Sequence, residues 1–446
     1  MNLSKAHSRI ALLLALVTAG FVSGFHAKPT KNSSSNPNFF ERQAFAAEDP
    51  TKLPPTETYL AVLNTIRTDY ASQAPGAKAP DLMRLTYAAI DGMLETLHDR
   101  YTEFWTPREY AQNMEETSGV FAGIGTTLDI TKDGRVVVLE TIESSPAAKM
   151  GVFAGDIITH INNHAAKGRS LDAITDQIKG EPGTAIRLTL ARKNHQAPIQ
   201  VLLTRAMVSS PLVEWRMQDA ETKIGYVSLS MFGEAADVQF AAAVTKLEKR
   251  GMRAMIFDLR DNPGGLLNVA QDLASRFVDK GPVVWIQEKS GKMSPLPVEK
   301  NKHQNRLHSG DYPIAVLVNG NSASAAEIVA GAIKDHQVGT LVGTRTFGKG
   351  LVQTIFPLDD DSAVKITTQR YFTPNKSDIN KRYNLKTGAR ISGGIIPDVP
   401  TELTDADWER MRDARRSAPQ DKLAQDKQDP QMQKALTLLQ KQLEPQ

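Results

Sequence analysis

Cysteine is absent from this 446-residue chain. Its absence excludes disulfide staples, thiolate metal sites and a cysteine nucleophile, and leaves the compartment to be read from other features. Charge of one sign is scarce as well: 53 Lys and Arg against 50 Asp and Glu leave +3, too little to recruit nucleic acid or an anionic surface. The nine histidines form no His-Glu-x-x-His. His160 and His164 are four apart but flank the loop-forming pair Asn162-Asn163, so no metal and no organic cofactor is expected. There is no internal repeat, which removes stacked solenoids.

What is present is an ordinary globular composition, 41% hydrophobic and 23% charged. At roughly 100 to 200 residues per domain, two to four units are expected. Lys5, His7 and Arg9 precede an apolar run from Ile10 to Val22, the layout of a secretion signal, so the chain reads as exported, periplasmic or extracytoplasmic. The run is shorter than the ~20 residues that cross a bilayer, although Gly24 and Phe25 extend it towards a marginal membrane anchor. Cleavage, after Gly24 or within Ala44 to Ala46, and anchoring both stay open.

The chain divides as follows. Residues 1–27 form the signal or anchor, and 28–55, with its Ser/Asn/Pro cluster and Pro54-Pro55, a flexible linker. Residues 56–115 are helical, with Leu82, Leu85, Ala89, Met93 and Leu97 at helical spacing behind Asp81 as N-cap. Residues 116–206 switch to short strand-like runs punctuated by Gly and Pro. From 207 to 404, β-rich runs (Gly225 to Leu229, Ala254 to Leu259, Ile314 to Val318) alternate with amphipathic helices (Ala235 to Lys249, Leu266 to Phe277, Ala323 to Lys334), the pattern of an α/β core. The charged tail 405–446 carries a narrow stripe of Met432, Leu436, Leu439 and Leu443, suited to docking on the body or on a partner subunit.

Three loops of the core carry chemistry. In the first, an apolar strand runs through Asn319-Gly-Asn-Ser-Ala-Ser324 into a helix, placing Ser324 near unpaired N–H groups and the positive end of the helix dipole. The N–H of Ala325 is the natural donor to an oxyanion formed there. A serine before an apolar helix, Ser322 or Ser324, more often simply caps it. In the second loop, Gly348 and Gly350 bracket Lys349. A lysine activates a serine only as a neutral amine, a state that burial favours. On a strand starting at Lys349, Gln353 shares its face and can orient the amine. Glu327, one turn beyond Ser324, offers similar support. In the third, Asp258-Leu-Arg-Asp-Asn-Pro-Gly-Gly puts exposed N–H groups at a turn between strand and helix.

Together these three elements resemble the carboxyl-terminal processing peptidases, or tail-specific proteases. The likeness runs from near Asp81 to the Gly394-Ile-Ile-Pro-Asp stretch, and the motif set is highly specific. It implies Ser324 as nucleophile, Lys349 as general base and Gln353 as the residue that positions the lysine. Oxyanion amides would come from Ala325 and from Gly264 or Gly265. Within 116–206, Val120-Phe-Ala-Gly-Ile-Gly, Ser145-Pro-Ala-Ala-Lys-Met-Gly-Val and Gly155-Asp-Ile-Ile-Thr-His-Ile-Asn resemble a PDZ domain. Such a module captures chain ends by β-augmentation, with Gly123 and Gly125 presenting amides and Phe121 and Ile124 lining an apolar pocket. The expected fold is thus an α/β serine-peptidase core with an inserted β-rich PDZ domain and an N-terminal helical segment. The expected activity is Ser/Lys cleavage of exported proteins that expose C-terminal tails, with the PDZ module gating the cleft. A homo-oligomer or an adaptor protein is left open.

Competing readings are a silent PDZ scaffold delivering substrates to another protease and a hydrolase of small esters. A Ser324/His336/Asp335 triad fails on helical geometry: twelve residues at ~1.5 Å each separate serine and histidine by roughly 18 Å.

Overall fold

The structure, a computed structural model, describes residues 55–71, 80–299, 312–384, 387–417 and 421–444. The leader and linker expected over 1–27 and 28–55 lie outside these residues, apart from Pro55. No helix among the described residues is long and apolar enough to cross a membrane.

The described residues form two compact units: 108–354 with 367–444, and 55–107 with 355–366. In the smaller, helices Pro55–Asp69 and Leu82–Glu95 accompany a short strand, Glu103–Trp105, antiparallel to 363–365. Asp81 caps the second helix as expected, accepting from the N–H groups of Met83 and Arg84 at 3.0 and 3.3 Å. The apolar stripe fares less well: Met93 and Leu97 are exposed and only Leu94 is buried.

The larger unit is built on a six-stranded sheet in the order Val213–Asp219, Ile224–Leu229, Ala254–Asp258, Ile314–Val318, Thr340–Gly343, Val399–Pro400. All neighbours after the first pair run parallel. Strand Ala254–Asp258, apolar up to its final aspartate, and the apolar run Ile314–Val318 are buried at every position, as parallel strands covered on both faces must be. Helices Ala236–Lys249, Leu267–Ala274 and Ala325–Asp335 contribute to one core, where the rings of Phe240, Phe257 and Phe277 stand 4.9 to 5.8 Å apart. The helix Pro430–Leu443 buries Met432, Ala435 and Leu439 in a second core with Ile224, Ile256 and Leu317. The tail stripe therefore docks on the body. Arg260 fixes it there, pairing with Asp258 at 2.7 Å and with Asp429, the N-cap of that helix, at 2.6 Å.

Residues 126–204 form a separate antiparallel sheet around its own core of Ile158, Ile161, Ile186, Leu188 and Leu190, with helix Leu171–Ile178 packed on it. His160 and His164 lie on opposite strands of this sheet's hairpin at Asn162-Asn163, where His160 pairs with Ala165 and His164 with Ile161, and both asparagines adopt positive φ. Strand Val120–Gly123, leading into the module, pairs antiparallel with Ala206–Ser209, leading out of it. An α/β multidomain fold with an inserted β-rich module results.

Candidate active site and tail groove

The serine loop is fixed by its own polar groups. Ser322 Oγ donates to the Leu259 carbonyl at 2.7 Å and accepts from the Asn319 N–H at 2.9 Å, so Ser322 is consumed in holding the turn. Ser324 follows as the N-cap of Ala325–Asp335, with φ 53° and ψ −116° and 3% exposure. A non-glycine residue in that region carries about 1–3 kcal/mol of backbone strain, which persists only where the surroundings impose it. A serine at a strained strand-to-helix turn is the placement that presents a hydroxyl for attack.

The Pro-Gly-Gly loop lies against it. Asn262, fully buried, donates to the Leu229 carbonyl at 2.7 Å, accepts the Gly264 N–H at 2.8 Å, and through its carbonyl accepts the Ala323 N–H at 2.9 Å. A Cβ on Gly264, whose φ is 107°, would stand 2.7 Å from the Ser324 Cβ and 3.0 Å from the Ala325 nitrogen. Glycine is thus demanded by close approach as well as by φ. The N–H groups of Gly265 and Ala325 make no hydrogen bond among the described residues.

The lysine loop is tied to the serine loop by one carboxyl group. Glu327, fully buried, accepts from four donors: the Ser324 N–H at 3.1 Å, the Lys349 N–H at 2.8 Å, the Gly348 N–H at 2.7 Å and the Thr346 hydroxyl at 2.5 Å. Desolvation pushes its carboxyl above the usual carboxylate range, against the pull of those donors. The Tyr371 hydroxyl makes a second tie, donating to the carbonyls of Ser324, at 3.1 Å, and of Lys349. Glu327 therefore supports the site through the backbone. Lys349 is 3% and Gln353 1% exposed. The strand starts at Leu351, two residues later than expected, so Lys349 belongs to the loop and regular alternation does not relate it to Gln353. Gln353 donates to Thr367 Oγ1 at 3.2 Å, and its Oε1 is buried without a hydrogen bond among the described residues.

Thr346, Tyr371 and Asn262 were not anticipated. Only Asn262 had a signal, its place before Pro-Gly-Gly; the others reach the site from 22 and 47 residues beyond Ser324 in the chain. The histidine rival is excluded by position. His336 caps the far end of the serine helix with Nε2 2.8 Å from the Pro282 carbonyl, and Asp335 accepts from Thr373 and Asn375. Among the described residues no group of three or more His, Cys, Asp or Glu side chains could hold a metal ion.

In the inserted module, Phe121, Gly123, Ile124 and Gly125 line one groove of about 280 Å³ together with Leu171 and Ile178 of the packed helix. The N–H groups of Ile124 and Gly125 make no hydrogen bond among the described residues, and Ile124 itself is fully buried. Gly125 has φ 78°, and a Cβ there would fall 2.3 Å from the Ser145 Cβ.

Residues 223–401 match peptidase family S41 and residues 137–192 match a PDZ domain. A carboxy-terminal-processing protease of Bartonella bacilliformis is 34% identical over 355 residues, covering 76% of this chain and 74% of its own. A probable CtpA-like serine protease of Staphylococcus epidermidis is 34% identical over 345 residues, covering 76% and 67%. Among solved structures, a photosystem II D1 C-terminal processing protease aligns with TM-score 0.43 at 30% identity, covering 77% of this chain and 87% of its own. The chain is a serine protease with a PDZ module. It belongs to the carboxy-terminal-processing proteases of peptidase family S41.

Proposed function

We propose that this protein is an endopeptidase that cuts exported proteins near their carboxyl termini with a Ser324/Lys349 dyad. Lys349, as the neutral amine, takes the Ser324 proton while Oγ attacks the scissile carbonyl. It then gives the proton to the leaving amine and activates the water that releases the acyl-enzyme. Ala325 and Gly265 supply the oxyanion amides, since the Gly264 N–H already serves Asn262. Gln353 positions the lysine. Burial at 3% exposure disfavours the Lys349 ammonium, as a base requires. The observation that carries the reading is Glu327, whose carboxyl group accepts from the main-chain N–H groups of both Ser324 and Lys349 and so joins the two loops.

The groove of the PDZ module captures the substrate tail. The Ile124 and Gly125 amides take its terminal carboxylate, and the surrounding apolar side chains take a nonpolar last residue. Export is read from Lys5, His7, Arg9 and the apolar run that follows them.

The test incubates wild type, Ser324→Ala and Lys349→Ala with an unfolded protein ending in either apolar or charged residues. Each substitution is expected to lower turnover by about 10⁴-fold or more, and wild type to favour the apolar end. Cleavage retained by both variants would rule out the dyad; equal rates on the two ends would rule out apolar tail selection.

A further inference from the structure

The tail groove contains a charged pair that its apolar chemistry does not require. Glu115, near the end of helix Pro107–Ser118, forms an ion pair with Lys179, the C-cap of helix Leu171–Ile178. Both residues line the groove, together with Glu116 and with Thr126, whose buried Oγ1 makes no hydrogen bond among the described residues. Desolvation holds the Glu116 carboxyl above the ordinary carboxylate range, against the attraction of Lys179 and with repulsion from Glu115 added.

The pair sits at the end of the groove where a terminal carboxylate would arrive. Arg205 Nε donates to the Ile178 carbonyl at 2.8 Å, and the next residue, Ala206, pairs with Gly123. The C-terminal end of the packed helix is thereby brought to the loop whose Ile124 and Gly125 amides are unengaged, whereas Leu171 stands at the helix's other end. One cation and two carboxyl groups surround this point, so an incoming carboxylate meets its natural counter-ion already occupied.

Resting on the tail-capture reading above, we propose that Glu115 is an internal stand-in for the terminal carboxylate of the substrate. It holds Lys179 until a tail takes the ammonium over, and so raises the threshold that a tail's own binding must exceed. A half-exposed pair of this kind is modest in strength, so the expected discrimination is a factor of a few. Its consequence is selectivity: only tails whose apolar contacts and free carboxylate act together displace Glu115.

Binding is measured by fluorescence anisotropy on the full chain carrying Ser324→Ala, so that the peptide is not cut. The probe is an unstructured labelled peptide with an apolar last residue, as the free acid and as the C-terminal amide. The parent is expected to prefer the free acid. Glu115→Gln should tighten the free acid about threefold and leave the amide unchanged, and Glu115→Ala should do the same. Lys179→Met should weaken the free acid and erase the gain from Glu115→Gln in the double variant. Free-acid preference with no gain from Glu115→Gln, or a gain that survives Lys179→Met, overturns the stand-in while leaving tail capture standing. Equal binding of acid and amide by the parent overturns tail capture, and the stand-in with it.

Discussion

Two buried carboxyl groups, one in the catalytic core and one in the tail-binding module, are held by opposite means. Glu327 is surrounded by four neutral donors, three of them main-chain N–H groups, and its carboxyl is pushed up by desolvation. Asp156 accepts from the Arg192 guanidinium at 2.7 and 2.8 Å and from the Phe153 N–H at 2.9 Å. Desolvation raises it too, but Arg192 and Phe153 outweigh that, and its carboxyl lies below the usual range. A buried acid with a guanidinium stabilises its module. A buried acid that serves only dipoles is retained for geometry: it sets where the serine and lysine loops stand, at some cost in ionisation free energy.

The sharpest way to break this comparison is Glu327→Ala. It leaves three main-chain N–H groups and the Thr346 hydroxyl in a dry interior without their acceptor. Each stranded donor costs about 1–3 kcal/mol, partly relieved by water entry, so a net loss of about 3–5 kcal/mol is expected by urea unfolding. Turnover should fall at least ~100-fold as the two loops lose register, because misplacement by ~1 Å is enough for that. Affinity for a tail peptide should hold, since the module's core is its own. A variant of wild-type stability and activity would show that Glu327 is dispensable.

Gly125→Ala reverses the pattern. The new Cβ would meet the Ser145 Cβ at 2.3 Å in a backbone with φ 78°, so the amide loop must shift. A cost of about 1–3 kcal/mol is expected, with tail-peptide affinity lost at least tenfold. Cleavage of a short peptide that does not engage the groove should be unchanged. Undiminished tail binding would remove Gly125 from the recognition loop.

These contrasts also mark what the sequence could disclose. The run Ile314–Val318 was legible to the residue because a buried strand is written in consecutive side chains. The stripe of Met432 and Leu439 was legible as a docking face because its apolar side chains recur at helical spacing. The start of the serine helix was read two residues early: Ala323 and Ser324 look helical in composition, but Ser324 takes positive φ under restraint from Glu327 and Tyr371. Leu97 was assigned to a helical stripe although the helix stops at Glu95 and the chain turns at His98, φ 51°. Ser324, Lys349 and Gly123 to Gly125 stood out because their motifs are short and contiguous. The roles of Thr346 and Tyr371 did not, because a hydrogen bond between distant segments leaves no local pattern.

The smallest expected effect concerns Asp156 and carries a sign that tests the comparison directly. Its folded-state pKa is depressed, so between the folded and unfolded values the unfolded chain binds more protons. The stability it contributes is present above the unfolded value of about 4 and is lost as pH falls through the folded one. Glu327, with its pKa raised, behaves inversely: its contribution is present below the unfolded value and lost as pH rises through the folded one. Asp156→Asn should therefore lower stability by about 1–2 kcal/mol at pH 7 and flatten the acid limb of the stability profile, leaving the limb above pH 5 with its wild-type slope. Thermal unfolding of the full chain from pH 3 to 8 reads both limbs. An Asn variant that still loses stability as steeply as wild type below pH 4 would mean that the Arg192 pair does not set the acid response of this module.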